Sequence, residues 1–244
     1  MTGIAPLAEA GVRQSAGEVV AGLGLRSRPA PAGRPRVVAA VIGSADGRAA
    51  VAGRSVGLGH PQDRALLRAL RATADVVLVG AATVRAEGYA NLLDPEHVDA
   101  RARAGLAPRP VVAILTRSGA VPWEVGLFAE PDASVVICSG AEVSVPAGIA
   151  ADVQVAPVAE PAAALAALHE RCGAAVVLCE GGPRVLQAVV AAGLLDDLVL
   201  TVAPLLVGGD APTPLSGPAL DPPRRLALAG VWRADDHAFL HYTT

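Results

Sequence analysis

Apolar residues in this chain gather into short unbroken blocks, separated by longer stretches in which apolar and polar positions mix. The first block is Val37-Val38-Ala39-Ala40-Val41-Ile42, and others follow at 76–79, 111–115, 134–138, 153–156 and 176–179. Runs of β-branched and aliphatic residues without polar alternation predict strands buried on both faces. Between them the spacing turns helical over 62–72, 161–172 and 183–192, so strand and helix alternate and the early strands are expected to be parallel.

The last third reads differently. Residues 197–203 predict a strand, Gly208-Gly209 and a Pro-rich loop follow, and two further strands are expected near 225–231 and 238–243 with antiparallel pairing. The expected fold is α/β in three layers: a mixed, mostly parallel sheet, helices on both faces and an antiparallel C-terminal edge. Residues 1–35 close on Arg28-Pro29-Ala30-Pro31-Ala32-Gly33-Arg34-Pro35, which neither helix nor sheet interior accepts. They predict an irregular arm with a short helix near 15–23, ahead of one domain over 36–244.

Composition narrows the partners. The 244 residues carry a net charge of −3, scattered basic residues and only two each of Trp, Tyr and Phe, which disfavours nucleic acid or an anionic membrane and leaves a small molecule. Apolar residues make up 52% of the chain. No apolar stretch reaches the roughly 18 residues that cross a bilayer, and no basic-then-apolar leader opens the chain, so a soluble, cytoplasmic protein is expected. Cys138, Cys172 and Cys179 fit neither a disulfide framework nor a zinc site, and the five histidines lack ligand spacing, so no metal is expected.

Three predicted strand ends carry glycine beside a polar residue. Val176 to Cys179 leads into Glu180-Gly181-Gly182-Pro183, where two residues without side chains precede a proline suited to the first helical turn. Free N–H groups and the helix dipole there favour a phosphate. Ser44-Ala45-Asp46-Gly47 follows the first strand and reads either as an ordinary Asp-Gly turn or as a carboxylate at a ligand site. Gly80-Ala81-Ala82-Thr83 follows the second, with Arg85 and Glu87 beyond, and reads either as a plain helix start or as a wall of the same pocket. No Gly-x-Gly-x-x-Gly follows the first strand, and the P-loop, zinc-deaminase and nucleophile-elbow motifs are absent.

Taken in order, these segments resemble the reductase domain of riboflavin biosynthesis, a family that shares the fold of dihydrofolate reductase. The likeness runs from Val37 to Tyr242: Ser44-Ala45-Asp46-Gly47, Leu67-Arg68-Ala69-Leu70-Arg71 leading into Ala74 to Gly80, Ala82-Thr83-Val84-Arg85-Ala86-Glu87, Glu180-Gly181-Gly182-Pro183, Ala192 to Leu198 and Ala203 to Gly209. The resemblance implies hydride transfer from NADPH to the imine or open form of a ribosylaminopyrimidine phosphate. It implies cofactor contacts at Gly80, Thr83, Glu87, Thr116, Ser118, Gly181, Gly182, Pro183, Arg184, Val185 and Leu186. It implies substrate contacts at Ser55, Arg71 and Glu180, with Asp46 and Glu180 as acid or orienting groups.

The chain is similar to a stand-alone, actinobacterial-type branch of that family that carries Glu-Gly-Tyr, and its departures from the wider family cluster around the substrate. Where family members continue with Asp-Asp-Pro and later Thr-Val-Arg, this chain has Glu87-Gly88-Tyr89-Ala90-Asn91-Leu92-Leu93, so the phosphate-gripping arginine is gone. Arg85 or Arg101 is the expected substitute. The alternatives are a reductase of dihydrofolate, another pterin or a different heterocycle stacked on Tyr89, and a nucleotide-binding protein without turnover. A homodimer is expected, from the resemblance and from an apolar edge strand at Leu198 to Ala203 left open for a second copy.

Overall fold

A computed structural model describes residues 12–29 and 31–244. The six apolar blocks form β1 (Arg36–Ser44), β2 (Val76–Gly80), β3 (Val111–Thr116), β4 (Ser134–Ser139), β5 (Asp152–Ala156) and β6 (Val176–Gly181). The last third supplies β7 (Asp197–Ala203), β8 (Ala227–Ala234) and β9 (His237–Thr243). All nine share one sheet in the order β5-β4-β3-β2-β6-β1-β7-β9-β8. Pairing is parallel from β5 through β7, while β9 runs antiparallel to β7 and β8.

Strand residues alternate between two apolar layers, as a pleated sheet covered on both faces requires. Val37 and Ala39 of β1 pack with Leu165, Leu168, Leu186 and Val189 of α5 (Pro161–Cys172) and α6 (Pro183–Ala191). Val38, pointing the other way, packs with Val20, Leu66 and Leu70 of α1 (Ala16–Gly22) and α2 (Pro61–Thr73). Beyond β2 on that second face, Val84 of α3 (Ala81–Glu87) and Phe128 cover Val112 and Ile114. Cys138 and Cys179 are buried, and burial pushes their thiols up to about 11 and about 12, which makes them inert core residues.

Three expectations change. Strand 197–203 is no open edge: β7 is hydrogen-bonded to β1 on one side and β9 on the other, and the sheet ends at β5 and β8. The edge argument for a second copy therefore falls. The helix expected near 15–23 forms as α1, but the described part of the arm packs onto the domain rather than standing ahead of it: Ser15 and Glu18 form a capping box on α1, and Val20, Leu23 and Leu25 are buried over α2. Arg26 pairs with Asp75 at 2.8 Å, Arg34 with Asp196 at 2.6 Å, and Arg28 with Asp197 at 2.5 Å.

The third change concerns Arg101. It sits on α4 (Pro95–Arg103), a helix the periodicity did not show because Val98 is its one large aliphatic residue. Its guanidinium is buried and donates to the carbonyls of Ala74, Ala72, Arg71 and Ala107 at 2.5–3.3 Å. It closes the C-terminus of α2 and has no reach to a phosphate in the cleft.

Candidate active site

A cleft of about 390 Å³ opens at the carboxyl ends of β1, β6 and β7, roofed on one side by α2, where open α/β sheets hold ligands. Asp63, Leu66, Leu67, Leu70 and Arg71 line it from α2, a spacing of three, four, seven and eight that is one face of a helix. Ala40 and Ile42 come from β1, Glu180 from β6, and Val199 and Thr201 from β7.

At one end, Arg71 and Glu180 form a two-pronged ion pair with both N–O distances at 2.7 Å, and the Tyr89 hydroxyl donates to Glu180 Oε2 at 2.5 Å. The Arg71 guanidinium also lies 5.6 Å over the Tyr89 ring. Burial is the largest single effect and works against the Arg71 charge, but the charge and hydrogen bond of Glu180 together with those of Tyr89 outweigh it and push the guanidinium above its ordinary range. Burial first, and the Glu180 charge second, push the Tyr89 phenol well above its ordinary range, so Tyr89 stays a donor. Both oxygens of Glu180 are thus held by fixed donors. Arg71 and Glu180, expected to face the substrate, stand together, whereas Tyr89 is a hydrogen-bonding member of the cluster rather than a free stacking surface.

At the mouth, α6 begins at Pro183 with no side-chain cap, and its first internal bond runs from Leu186 N to Gly182 O at 3.0 Å. The N–H groups of Arg184 and Val185 therefore have no partner in the helix. Gly181 has φ of 81°, and the Gly181-Gly182 peptide is cis. A Cβ on Gly182 would run into the Thr83 hydroxyl, and one on Gly80 would come within 3.0 Å of Val185 Cγ2. The turn from β2 into α3 and the turn from β6 into α6 can meet this closely only because both carry glycine. A cradle of backbone N–H groups without side chains fits the pyrophosphate of a nicotinamide dinucleotide.

Ser55 and Glu87 also line the cleft and are joined, since Ser55 N donates to Glu87 Oε1 at 2.9 Å. Thr116 and Ser118 lie outside it, at the end of β3, where both interact with Ala120 at 3.4 Å. Arg85 is half-exposed, 3.6 Å from Glu124 and away from the cleft. The one triplet of close metal-ligand types among the described residues, Asp94, Glu96 and His97, is also away from the cleft, with Asp94 paired to Arg68 at 2.8 Å. No helix among the described residues is long and apolar enough to cross a membrane.

Asp46, expected either in an ordinary Asp-Gly turn or as an acid or orienting group, has the contacts of a loop anchor. Its carboxylate accepts from the Ser44 hydroxyl at 2.5 Å and from the N–H groups of Val207 and Gly208 at 3.1 and 2.7 Å. The Ser44 hydroxyl first, then those two amides, hold its carboxyl down to about 2. A group so acidic stays ionised and anchors the loop after β7, which supplies Pro212 and Pro214 to the cleft wall.

Asp63 was not expected. It lies at the far end of the cleft from Glu180, beside the buried Thr201 hydroxyl. Burial pushes its carboxyl up, against the opposing effects of Thr201, His237, Arg64 and His60. An acid in a first helical turn reads as a complement to the helix dipole; the overlooked signal was its place on the same stripe as Leu66, Leu70 and Arg71.

Comparison with known proteins adds three findings. The profile of the RibD C-terminal domain matches residues 35–240. The riboflavin biosynthesis protein RibD of Mycobacterium tuberculosis is 30% identical over 178 residues, which cover 72% of this chain and 44% of that protein, so the chain spans under half the length of that relative. Among solved structures, a pyrimidine reductase-like protein from Corynebacterium diphtheriae superposes with a TM-score of 0.76 at 25% identity, covering 94% of this chain and 98% of the other. RibD from Acinetobacter baumannii superposes at 0.71 and 24%, covering 87% and 58%, and so shares the fold.

Proposed function

We propose, from the premise that this chain belongs to the RibD C-terminal domain family of riboflavin-biosynthesis reductases, that it is an NADPH-dependent reductase of a ribosylaminopyrimidine. The observation that carries the reading is the contact between Gly182 and Thr83, which places a side-chain-free helix start at the mouth of the cleft that holds Arg71 and Glu180. The backbone of Gly181, Gly182 and residues 184–186 would hold the pyrophosphate, with Thr83 beside it and Thr116 and Ser118 farther along the strand ends toward the adenosine. The cofactor supplies the hydride.

The chain's own groups bind, orient and exclude water. Glu180, locked by Arg71 and Tyr89, presents a fixed polar wall to the ribosyl end of the substrate. Leu66 and Leu70 of the α2 roof and Val199 of β7 form the apolar lining that keeps solvent from the reacting carbon. A homodimer is part of the proposal on family grounds, and light scattering at micromolar concentration should give twice the chain mass of 24.4 kDa; a mass of one chain removes it.

A second reading, reduction of an unphosphorylated or different heterocycle, draws on one observation. Arg71 is the one cation among the cleft-lining residues, and Glu180 occupies it, so no basic group is left for a phosphate. Following reduced-nicotinamide absorbance with 5-amino-6-ribosylaminouracil phosphate, its dephosphorylated form and dihydropterins separates the two. Turnover confined to the phosphorylated pyrimidine favours the first, and turnover confined to the others favours the second.

A further inference from the structure

The two sides of the sheet are unequally covered over its last three strands. On the α2 side, Val199 and Thr201 of β7 and Phe239 and His241 of β9 are buried. The residues between them point to the other side, where the layer built with α5 and α6 buries positions on every strand from β4 to β1, and Leu198 of β7 packs against it only in part.

Three rows of side chains cross that uncovered side. Leu200 stands opposite Leu240 and Leu240 opposite Val231; Leu198 stands opposite Tyr242 and Tyr242 opposite Leu228. The third row runs from Val202 through Ala238 to Arg233, the one charged side chain of the three rows. Leu198, Leu200, Leu240, Tyr242 and Val231 are half-buried, and Leu228 is 58% exposed. An apolar sheet face left open while its reverse is fully packed costs free energy in water and marks a surface of association.

The chain beside this face has the same character. Residues 204–226 join β7 to β8 without strand or helix, and none of them is buried; connections of that length are uncommon unless they have a task. Leu205, Leu206 and Leu215 are exposed on it. The same loop reaches the catalytic parts: Pro212 and Pro214 line the cleft, Ser216 N donates to the Pro183 carbonyl at 3.2 Å, and Gln187 of α6 donates to the Pro218 carbonyl at 2.6 Å.

Charge and size indicate the occupant. Under twofold symmetry a surface meets its own copy, so charges near the axis would oppose like charges; rows with a single arginine at their margin suit that pairing. Face and loop together supply the roughly 20–30 residues that a standard interface engages on each side. Strand addition at the edge of β8 is the poorer route, because β8 is bulged between Leu228 and Gly230 and a bulge turns an edge away from regular pairing.

We propose that a second copy of this chain packs on the face of β7, β9 and β8 and, by covering the loop at 204–226, fixes its two prolines in the cleft wall, so that the separated chain turns over poorly. This rests on the homodimeric reductase reading above. The test is light scattering at micromolar concentration together with steady-state turnover of the heterocycles named above. It compares wild type with Leu240→Glu, at the centre of the face, and with Val145→Glu, which puts the same charge on an exposed valine between β4 and β5.

Wild type and Val145→Glu should both give twice 24.4 kDa. Leu240→Glu sets two like charges in the contact, which should raise the dissociation constant at least about 100-fold and give the mass of one chain, with a cooperative melt retained and kcat/KM lowered at least about 10-fold. Should Leu240→Glu lack a cooperative melt, Leu228→Glu takes its place with the same expectations. A wild-type mass of one chain, a mass of two chains for the face variant, or a mass of one chain for Val145→Glu overturns the surface, while wild-type turnover keeps the reductase reading. A face variant that is a single chain yet turns over like wild type overturns the coupling to the cleft. A wild-type dimer that the face variant splits, with no turnover of any of the heterocycles, leaves the surface standing and overturns the reductase reading together with the coupling.

Discussion

At the residue scale, the cluster of Arg71, Glu180 and Tyr89 makes the sharpest demand. Glu180→Gln keeps the shape but leaves Arg71 buried without its counter-charge. We expect kcat/KM to fall on the order of 100-fold, the usual loss when a positioning group is misplaced, with Tyr89→Phe milder because it removes one hydrogen bond. Initial rates on both variants check this order. Asp46 makes a prediction in pH. Its folded carboxyl sits at about 2, below the ordinary 3.8, so its stabilisation is complete above that ordinary value and is lost as pH falls toward 2. Asp46→Asn should melt below wild type at pH 7, and thermal melts should show the gap closing between about pH 4 and pH 2; a constant gap would contradict the loop anchor. Glu180 was legible in the sequence as the polar end of an apolar block, whereas Arg71, inside α2, came from the family resemblance alone. Tyr89 and Asp63 were not legible, because their roles arise from groups 91 and 138 positions away, Glu180 and Thr201.

At the element scale, the strands were readable because burial on both faces demands unbroken aliphatic blocks. The segment from Gly80 to Thr83 reads equally as a helix start and as a pocket wall, and α3 is both. α4 has no apolar stripe; it is held by Arg101, whose four carbonyl partners come mostly from α2 and its end. Arg101→Ala should destabilise the protein by about 2–4 kcal/mol, because several buried carbonyls lose a charged donor together, and denaturant unfolding measures it. An effect under about 0.5 kcal/mol would show that α4 docks by other means. β7 carried a strand pattern that reads alike in a central or an edge position, so its neighbours, and the loss of the open-edge argument, came only from the pairing.

At the scale of the whole molecule, the site follows from the order of the sheet. β6 enters between β1 and β2, bringing Glu180 next to α2 although Arg71 is 109 residues earlier. No local pattern encodes that insertion. The arm behaves the same way: its composition shows a short helix in an irregular stretch, but not that Val20, Leu23 and Leu25 complete the layer over α2. Burying three such side chains contributes about 5–9 kcal/mol as an upper figure, comparable to a whole domain's stability. Removal of residues 1–28 should therefore give a protein that lacks a cooperative melt, and calorimetry showing a wild-type transition would refute it. The central claim, a dinucleotide seated on the glycine cradle, is tested most directly by titrating NADPH into the wild-type protein and into Gly182→Val by fluorescence. The account predicts saturable binding to the first and at least a 10-fold loss in the second, since the valine side chain would drive into Thr83. No saturation in the wild type, or equal affinity in both, would contradict it.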